Sequence, residues 1–260
     1  MALTGELKPP FTLEQLVTVF RQRMDDLPGD VVDGATPWTN DDDGLLWKND
    51  EICAYADEAQ QELGHRKPIL DSTTAAVAEI AVAGATAEVQ KFTYDQRILK
   101  IDRIKFVETL TGDERLLVKR TQAWMDDRHL NWDLETLVDN NPGTPSDYVE
   151  YTDERMLSLW PPTNLDGVLH LTVWRLPLKR LSWTLKHQLI EAQLAHQVDL
   201  VDWMQYRGYM KRDAETENTD LAAVHRTIFD ERIGLRPSAQ LQAIRRREHK
   251  TSRRVRSYFF

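Results

Sequence analysis

The apolar residues change their period twice along this chain, and no other feature narrows the possible folds as much. Leu13, Leu16, Val17, Phe20, Met24 and Leu27 recur at the three- and four-residue steps of one helix face. Thr12, with Gln15 three residues on, forms a capping-box pattern at the start, and Pro28-Gly29 stops the helix. A second helix is expected over about 49–64, with Ile52, Tyr55, Ala56, Ala59 and Leu63 as its buried stripe and Gly64 as its C-terminal cap. Near Asp71 the period falls toward two. The segments "AVAEIAVAG", "RILKIDRIKFVE", "RLLVKR", "DYVEYTD", "MLSLW" and "GVLHLTVWRLP" read as strands, separated by turn signals such as Thr111-Gly112-Asp113 and Asn164 to Gly167. Ile98, Ile101 and Ile104 do not alternate, so a bulge or turn is expected there. The segment "TQAWMDDRHLNW" supplies one short helix.

Helical spacing then returns. One helix is expected over about 190–211, with Leu194, Val198, Val201 and Met204 on its stripe. Gly208 inside it costs about 1 kcal/mol relative to Ala and so marks a close helix approach. A last helix, about 220–233, has Leu221, Val224, His225 and Ile228 on one side, and Gly234 ends it. The fold expected from these periods is α+β: a helical bundle with an inserted, mostly β subdomain and an extended basic C-terminal tail. Residues 1–71 supply the N-terminal helices, 72–185 the insertion, 186–234 the C-terminal helices and 235–260 the arm. Residues 1–10 read as a loose arm and 29–46 as a loop. A length of 260 residues suits a core domain carrying one inserted subdomain.

Charge divides the chain in another way. The net charge is −9. Residues 236–260 hold eight basic residues and one acid, a balance of +7, which leaves 25 basic and 41 acidic residues, −16, for the rest. An acidic body with a basic tail implies two surfaces for two kinds of partner. Three readings of the tail stay open: a solvated tail, an arm that orders on a protein partner, and a nucleic-acid contact. The terminal Tyr258, Phe259 and Phe260 favour a protein pocket. The single cysteine, Cys53, excludes an internal disulfide and fits a reducing compartment; it reads as a small buried side chain. No apolar run reaches the ~18 residues of a membrane span, and no secretory signal is expected.

A search for catalytic chemistry finds no constellation. His65, His129, His170, His187, His196, His225 and His249 are scattered, with no H-E-x-x-H pair. G-x-S-x-G, P-loop and G-x-G-x-x-G patterns are absent. Asp41, Asp42 and Asp43, with Asp50, lack the spacing of a calcium loop and read as a solvated acidic loop. Asp126-Asp127 are adjacent and point apart on a helix. His196 and His225 are expected to meet across two packed helices, in a core or interface hydrogen bond. No cofactor, no metal and no enzymatic activity are expected.

The densest contact surface lies in "HQVDLVDWMQYRGYMKRDAET", residues 196–216, where Trp203, Met204, Tyr206, Tyr209 and Met210 fall within eight positions. This stretch, with "LDGVLHLTVWRLP" before it and "AAVHRTIFDERIG" after it, resembles the head-to-tail adaptor (head completion, neck or connector) proteins of tailed bacteriophages. His196, Asp199-Leu200-Val201-Asp202-Trp203, Arg207, Tyr209, Arg212-Asp213 and Glu215 fall on that family's signature; Gly208 stands where Ala is usual. Trp160-Pro161-Pro162, Val173 to Pro177, "GTPSDYVEYTD" and "WKNDEICAYADEAQQE" also look like the family, and the likeness covers about 11–234. It implies a structural virion protein at the head–tail junction, assembled in the host cytoplasm. It implies a ring, commonly of twelve subunits, below the portal protein, with tail or nozzle proteins attached beneath. Such a ring prolongs the channel through which genomic DNA passes without specific binding. In that setting Asp202, Arg207 and Asp213 are expected to orient the signature helix, and Trp203, Tyr206 and Tyr209 to fill helix or subunit interfaces. Arg245, Arg246, Arg247, Lys250, Arg253, Arg254 and Arg256, with Tyr258, Phe259 and Phe260, are expected to form a portal-binding arm. A different reading also stands: a nucleic-acid-binding protein acting through the Arg-rich tail.

Overall fold

A computed structural model of the chain describes residues 10–26, 45–84, 91–129, 132, 143–213 and 215–238. The acid cluster Asp41, Asp42 and Asp43 lies outside these residues. So do Arg245, Arg246, Arg247, His249, Lys250, Arg253, Arg254, Arg256, Tyr258, Phe259 and Phe260. Six helices and eight strands are found among the described residues: α1 Leu13–Met24, α2 Asn49–Arg66, β1 Ile69–Asp71, α3 Ala75–Ala78, β2 Glu79–Val82, β3 Lys91–Thr93, β4 Ile98–Glu108, β5 Glu114–Arg120, α4 Gln122–Arg128, β6 Asp147–Tyr151, β7 Met156–Trp160, β8 Gly167–Arg175, α5 Leu200–Tyr209 and α6 Thr219–Ile233. The described residues fall into two compact units, one drawn from those within 10–71 and 174–236, the other from those within 72–173 together with 237–238.

In the first unit, α1 begins with the reciprocal capping box of Thr12 and Gln15. Its remaining free amides are met by another segment: the N–H groups of Leu13 and Glu14 donate to the carbonyls of Gln188 and Lys186 at 2.9 Å each. Leu13, Leu16, Val17 and Phe20 are fully buried and join Ile52, Ala56, Ala59 and Leu63 of α2 and Leu200, Val201 and Met204 of α5 in one core. Burial of each large side chain contributes about 1.5–3 kcal/mol. Gly64 does not cap α2 but lies inside it. A Cβ there would sit 2.7 Å from Pro177 Cδ, so glycine allows close approach, and the helix runs on to Arg66 with Lys67 as its cap.

In the second unit β8 alternates strictly, with Leu169, Leu171 and Val173 buried and the residues between them half-buried. The strands follow the order β8-β4-β5-β6-β7-β3, and β2 pairs with β8. Pairing is antiparallel for β2 with β8, β4 with β5, β6 with β7 and β3 with β7, and parallel for β5 with β6. Ile98, Ile101 and Ile104 are all buried in one continuous strand, with no turn between them. The first half of "AVAEIAVAG" is the short helix α3 in place of strand. A cluster of Met125, Trp132 and Val149, flanked by Trp124, Tyr151 and Trp160, packs α4 on β6 and β7.

The expected helical bundle is not evident. The fold is mixed α/β with a curled eight-stranded sheet, and the α+β class fits only roughly. The physical reason lies in what closes the helical core. The expected helix over 190–211 is only half helical: Leu194–His196 form a single 3₁₀ turn, and α5 begins at Leu200. The stretch before it takes other partners. Ile190 N–H donates to the Phe11 carbonyl, and the Gln197 amide donates to the carbonyls of Ile190 and Ala192. Irregular segments carrying Trp47, Leu181 and Ile190 therefore complete this core, in place of long helices packed side by side.

Candidate assembly helix

Helix α5 is short but enclosed. Six consecutive residues, Leu200 to Gln205, are buried, and its neighbours are α1, α2 and α6 of the same chain. Gly208 lets α1 come close: a Cβ there would meet Phe20 Cζ at 3.2 Å and Met24 Cε at 3.3 Å. Trp203 is 8% exposed and packs on Phe229 and Tyr206 at ring-centroid distances of 5.2 and 5.1 Å. Much of the dense aromatic surface read from the sequence is thus used inside the chain.

Asp202 ties three helices. It is 3% exposed, accepts from Arg232 Nη1 at 2.7 Å and from Arg23 Nη1 at 3.2 Å, and lies 4.0 Å from His225 Nδ1. Charge-assisted bonds of this kind are stronger than neutral ones, and they fix the rotation of α5 against α1 and α6. His225 stacks on Tyr209 with centroids 5.6 Å apart. Burial, with help from the Arg23 charge, holds its imidazole below the ordinary histidine range, against the opposing pull of Asp202. His196 pairs instead with Asp199, at 3.2 Å, so each histidine has its own acid. Arg207 reaches Glu58 of α2 at 2.9 Å. Tyr206 lies under the guanidinium of Arg226 at 5.6 Å. Asp213 is exposed, and its carbonyl accepts the N–H groups of Thr216 and Glu217 in the turn after α5.

Three arginines tie segments together: Arg175 lies in the Val173 to Pro177 step of the family likeness, and Arg21 and Arg66 were not singled out in the sequence. Arg21 is fully buried and bonds Asp26 at 2.5 Å, the Trp47 carbonyl at 2.9 Å and Asn49 at 2.8 Å. It joins the end of α1 to the start of α2. Its signal was present, since Arg21 falls four residues after Val17 on the apolar stripe. Arg175 bonds Asp71 at 2.6 Å and Glu191 at 2.9 Å. Glu191 in turn accepts from Leu178 N–H, and its own N–H donates to Gln60 of α2. Arg66 bonds Asp230 at 2.5 Å and the Gly234 carbonyl at 2.7 Å and lies 4.8 Å over the Phe229 ring. Arg236 meets Glu62 at 3.1 Å, so the C-terminal end of α6 and the three residues after it are held against α2.

Among the described residues, no group of three or more His, Cys, Asp or Glu side chains is placed to hold a metal ion. None of their helices is long and apolar enough to cross a membrane. The arrangement is a set of fixed helix contacts. The family described as SU10 adaptor protein matches residues 12–256, from the capping residue of α1 through α5 and α6 into the basic tail. The chain belongs to the SU10 adaptor protein family. This is a phage head-to-tail adaptor family. No curated protein matches the chain. The adaptor match takes in Arg245 to Arg256 and stops before Tyr258, Phe259 and Phe260.

Proposed function

We infer that the chain is a structural virion protein that joins phage head to tail. Twelve copies form a ring below the portal, extend the DNA channel and present a platform to tail or nozzle proteins. The observation that carries this is the adaptor-family match over residues 12–256. The charge balance supports it. An acidic body repels phosphates, so DNA passing beside it meets few traps. The role asks for rigid contacts and no catalysis, which suits the buried ion pair Arg21–Asp26 and the pairing of buried Asp202 with Arg232.

The basic arm carries the portal contact in this reading. Arg245, Arg246, Arg247, Lys250, Arg253, Arg254 and Arg256 pair with acidic portal groups, and Tyr258, Phe259 and Phe260 anchor in apolar pockets. A ring turns weak single arms into strong avidity. On α5, Trp203 and Asp202 set the fold of each subunit, and the partly buried Tyr206, Arg207 and Tyr209, with the exposed Asp213, lie nearer the surface where subunits meet. Electron microscopy of virions and of tailless heads incubated with the chain is the test. Ring density between portal and tail is expected. Absence of the chain from virions would overturn the reading.

The eight basic residues of 236–260, against one acid, favour a second reading, binding of nucleic acid through the tail. Tight DNA binding with a steep salt slope, lost on truncation at Arg236, would select it.

A further inference from the structure

Helix α6 carries two apolar faces, and the described chain covers only one. Ala222, Phe229 and Ile233 are buried against the rest of the unit. Leu221 and Val224, with the half-buried Ile228, stand at i, i+3 and i+7 along a second stripe, 40% and 50% exposed for the first two. Leu235, just past the helix, is 79% exposed. Asp220 and Glu231 flank this ridge. Both are exposed, and neither has an ion-pair partner among the described residues.

The same unit contains a cleft of about 570 Å³ lined by residues 179 and 184–191. Leu185 and Leu189 are 60% and 52% exposed in it. Its walls are held in place, because the carbonyls of Lys186 and Gln188 accept from the first amides of α1 and Ile190 N–H donates to Phe11. Its charge is of the opposite sign to the ridge. Lys179 and the adjacent Arg180 are exposed, with no ion-pair partner among the described residues.

We propose that the Leu221–Val224–Ile228 ridge of one copy docks in the 179–191 cleft of the next, with Asp220 and Glu231 paired to Lys179 and Arg180. The occupant is a second copy because the chain itself carries both halves of a complementary pair. Pairing of two ridges would set four unpaired acids together, and pairing of two clefts would do the same with bases. A ridge-to-cleft contact is heterologous, and a heterologous contact closes into a ring when its rotation permits. This rests on the ring reading above and names its contact.

The test uses the full-length chain added to phage heads that lack their own adaptor. In a chain carrying Val224→Cys and Leu189→Cys, mild oxidation is expected to give a ladder of covalent oligomers on the heads. Cys53 is buried and stays out of the reaction. Asp220→Lys with Glu231→Lys is expected to lower head-bound occupancy at least about tenfold while the free protein keeps its melting temperature. Adding Lys179→Glu and Arg180→Glu to that chain is expected to restore it. Three outcomes overturn the contact and leave the ring reading standing: wild-type rings with no cysteine ladder and unaffected charge variants, a cross-linked dimer from Val224→Cys alone, or a cross-link closed within one chain. If the unmodified chain forms no oligomer on heads, the ring reading itself fails and the contact falls with it.

Discussion

Helices α1 and α6 carry the same kind of signal in the sequence and meet opposite fates. Both show apolar residues at three- and four-residue steps. In α1 the stripe of Leu13, Leu16, Val17 and Phe20 is fully buried. In α6 the corresponding side is split: Leu221 and Val224 are exposed, His225 and Ile228 are half-buried, and the buried contacts come from Ala222, Phe229 and Ile233. Periodicity defines a face but does not say what covers it. Residue 229 decided the matter for α6, since its aromatic ring reaches Trp203 and lies under Arg66.

The largest loss of stability is expected in α1. Phe20→Ala removes a fully buried ring that meets Trp47 edge-on at 5.7 Å. The expected loss is about 3–5 kcal/mol by denaturant unfolding. A loss below about 1 kcal/mol would mean that α1 is not the centre of this core. Next in size is Asp202→Ala, which releases both α1 and α6 from α5. Its partners Arg23 and Arg232 are 37% and 50% exposed and regain water, so the cost is expected near 1–2 kcal/mol. Thermal unfolding of this variant beside Arg232→Ala checks whether the two share one interaction.

A smaller effect is expected from pH. The His225 imidazole titrates below its ordinary value in the folded chain, so below a pH of about 6.5 the unfolded chain binds more protons. Stability then falls as pH drops through that range and is flat above it. His65 acts with the same sign, because burial and Arg236 lower it as well. His225→Gln should therefore make the melting temperature less steep between about pH 7 and pH 5 without flattening it. An unchanged slope would remove His225 from the account. The smallest effect belongs to the outward stripe: Leu221→Ser with Val224→Ser should change the stability of the free protein by no more than about 0.5 kcal/mol. A large loss would show that this stripe is covered in the free protein.

Much of the local structure was legible. The capping box at Thr12 and Gln15, the end of α6 at Gly234 and the close approach at Gly208 are read directly from residue type and spacing. Those signals depend on neighbours in the chain, or on the one side chain too small to clash. The missing first half of the 190–211 helix was not legible. Val198 and Leu194 have helical spacing, yet the backbone just before them, at Ile190 and Ala192, is claimed by Phe11 and by the Gln197 side chain, far away in sequence or invisible to hydropathy. Gly64 misled for a similar reason: a glycine at a helix end and a glycine under Pro177 look alike in one dimension.

By itself, then, the sequence determined where helices and strands alternate, the starts and ends set by local capping, the split between acidic body and basic tail, and the adaptor signature over 196–216. Each is a property of residue type and short spacing. Tertiary structure alone decided that the helices do not close as a bundle, that Arg21, Arg66 and Arg175 become buried ties, and that α6 shows water Leu221 and Val224 of its apolar side. Those outcomes depend on which distant carbonyl, carboxylate or ring reaches a given group first, and chain order does not encode that distance.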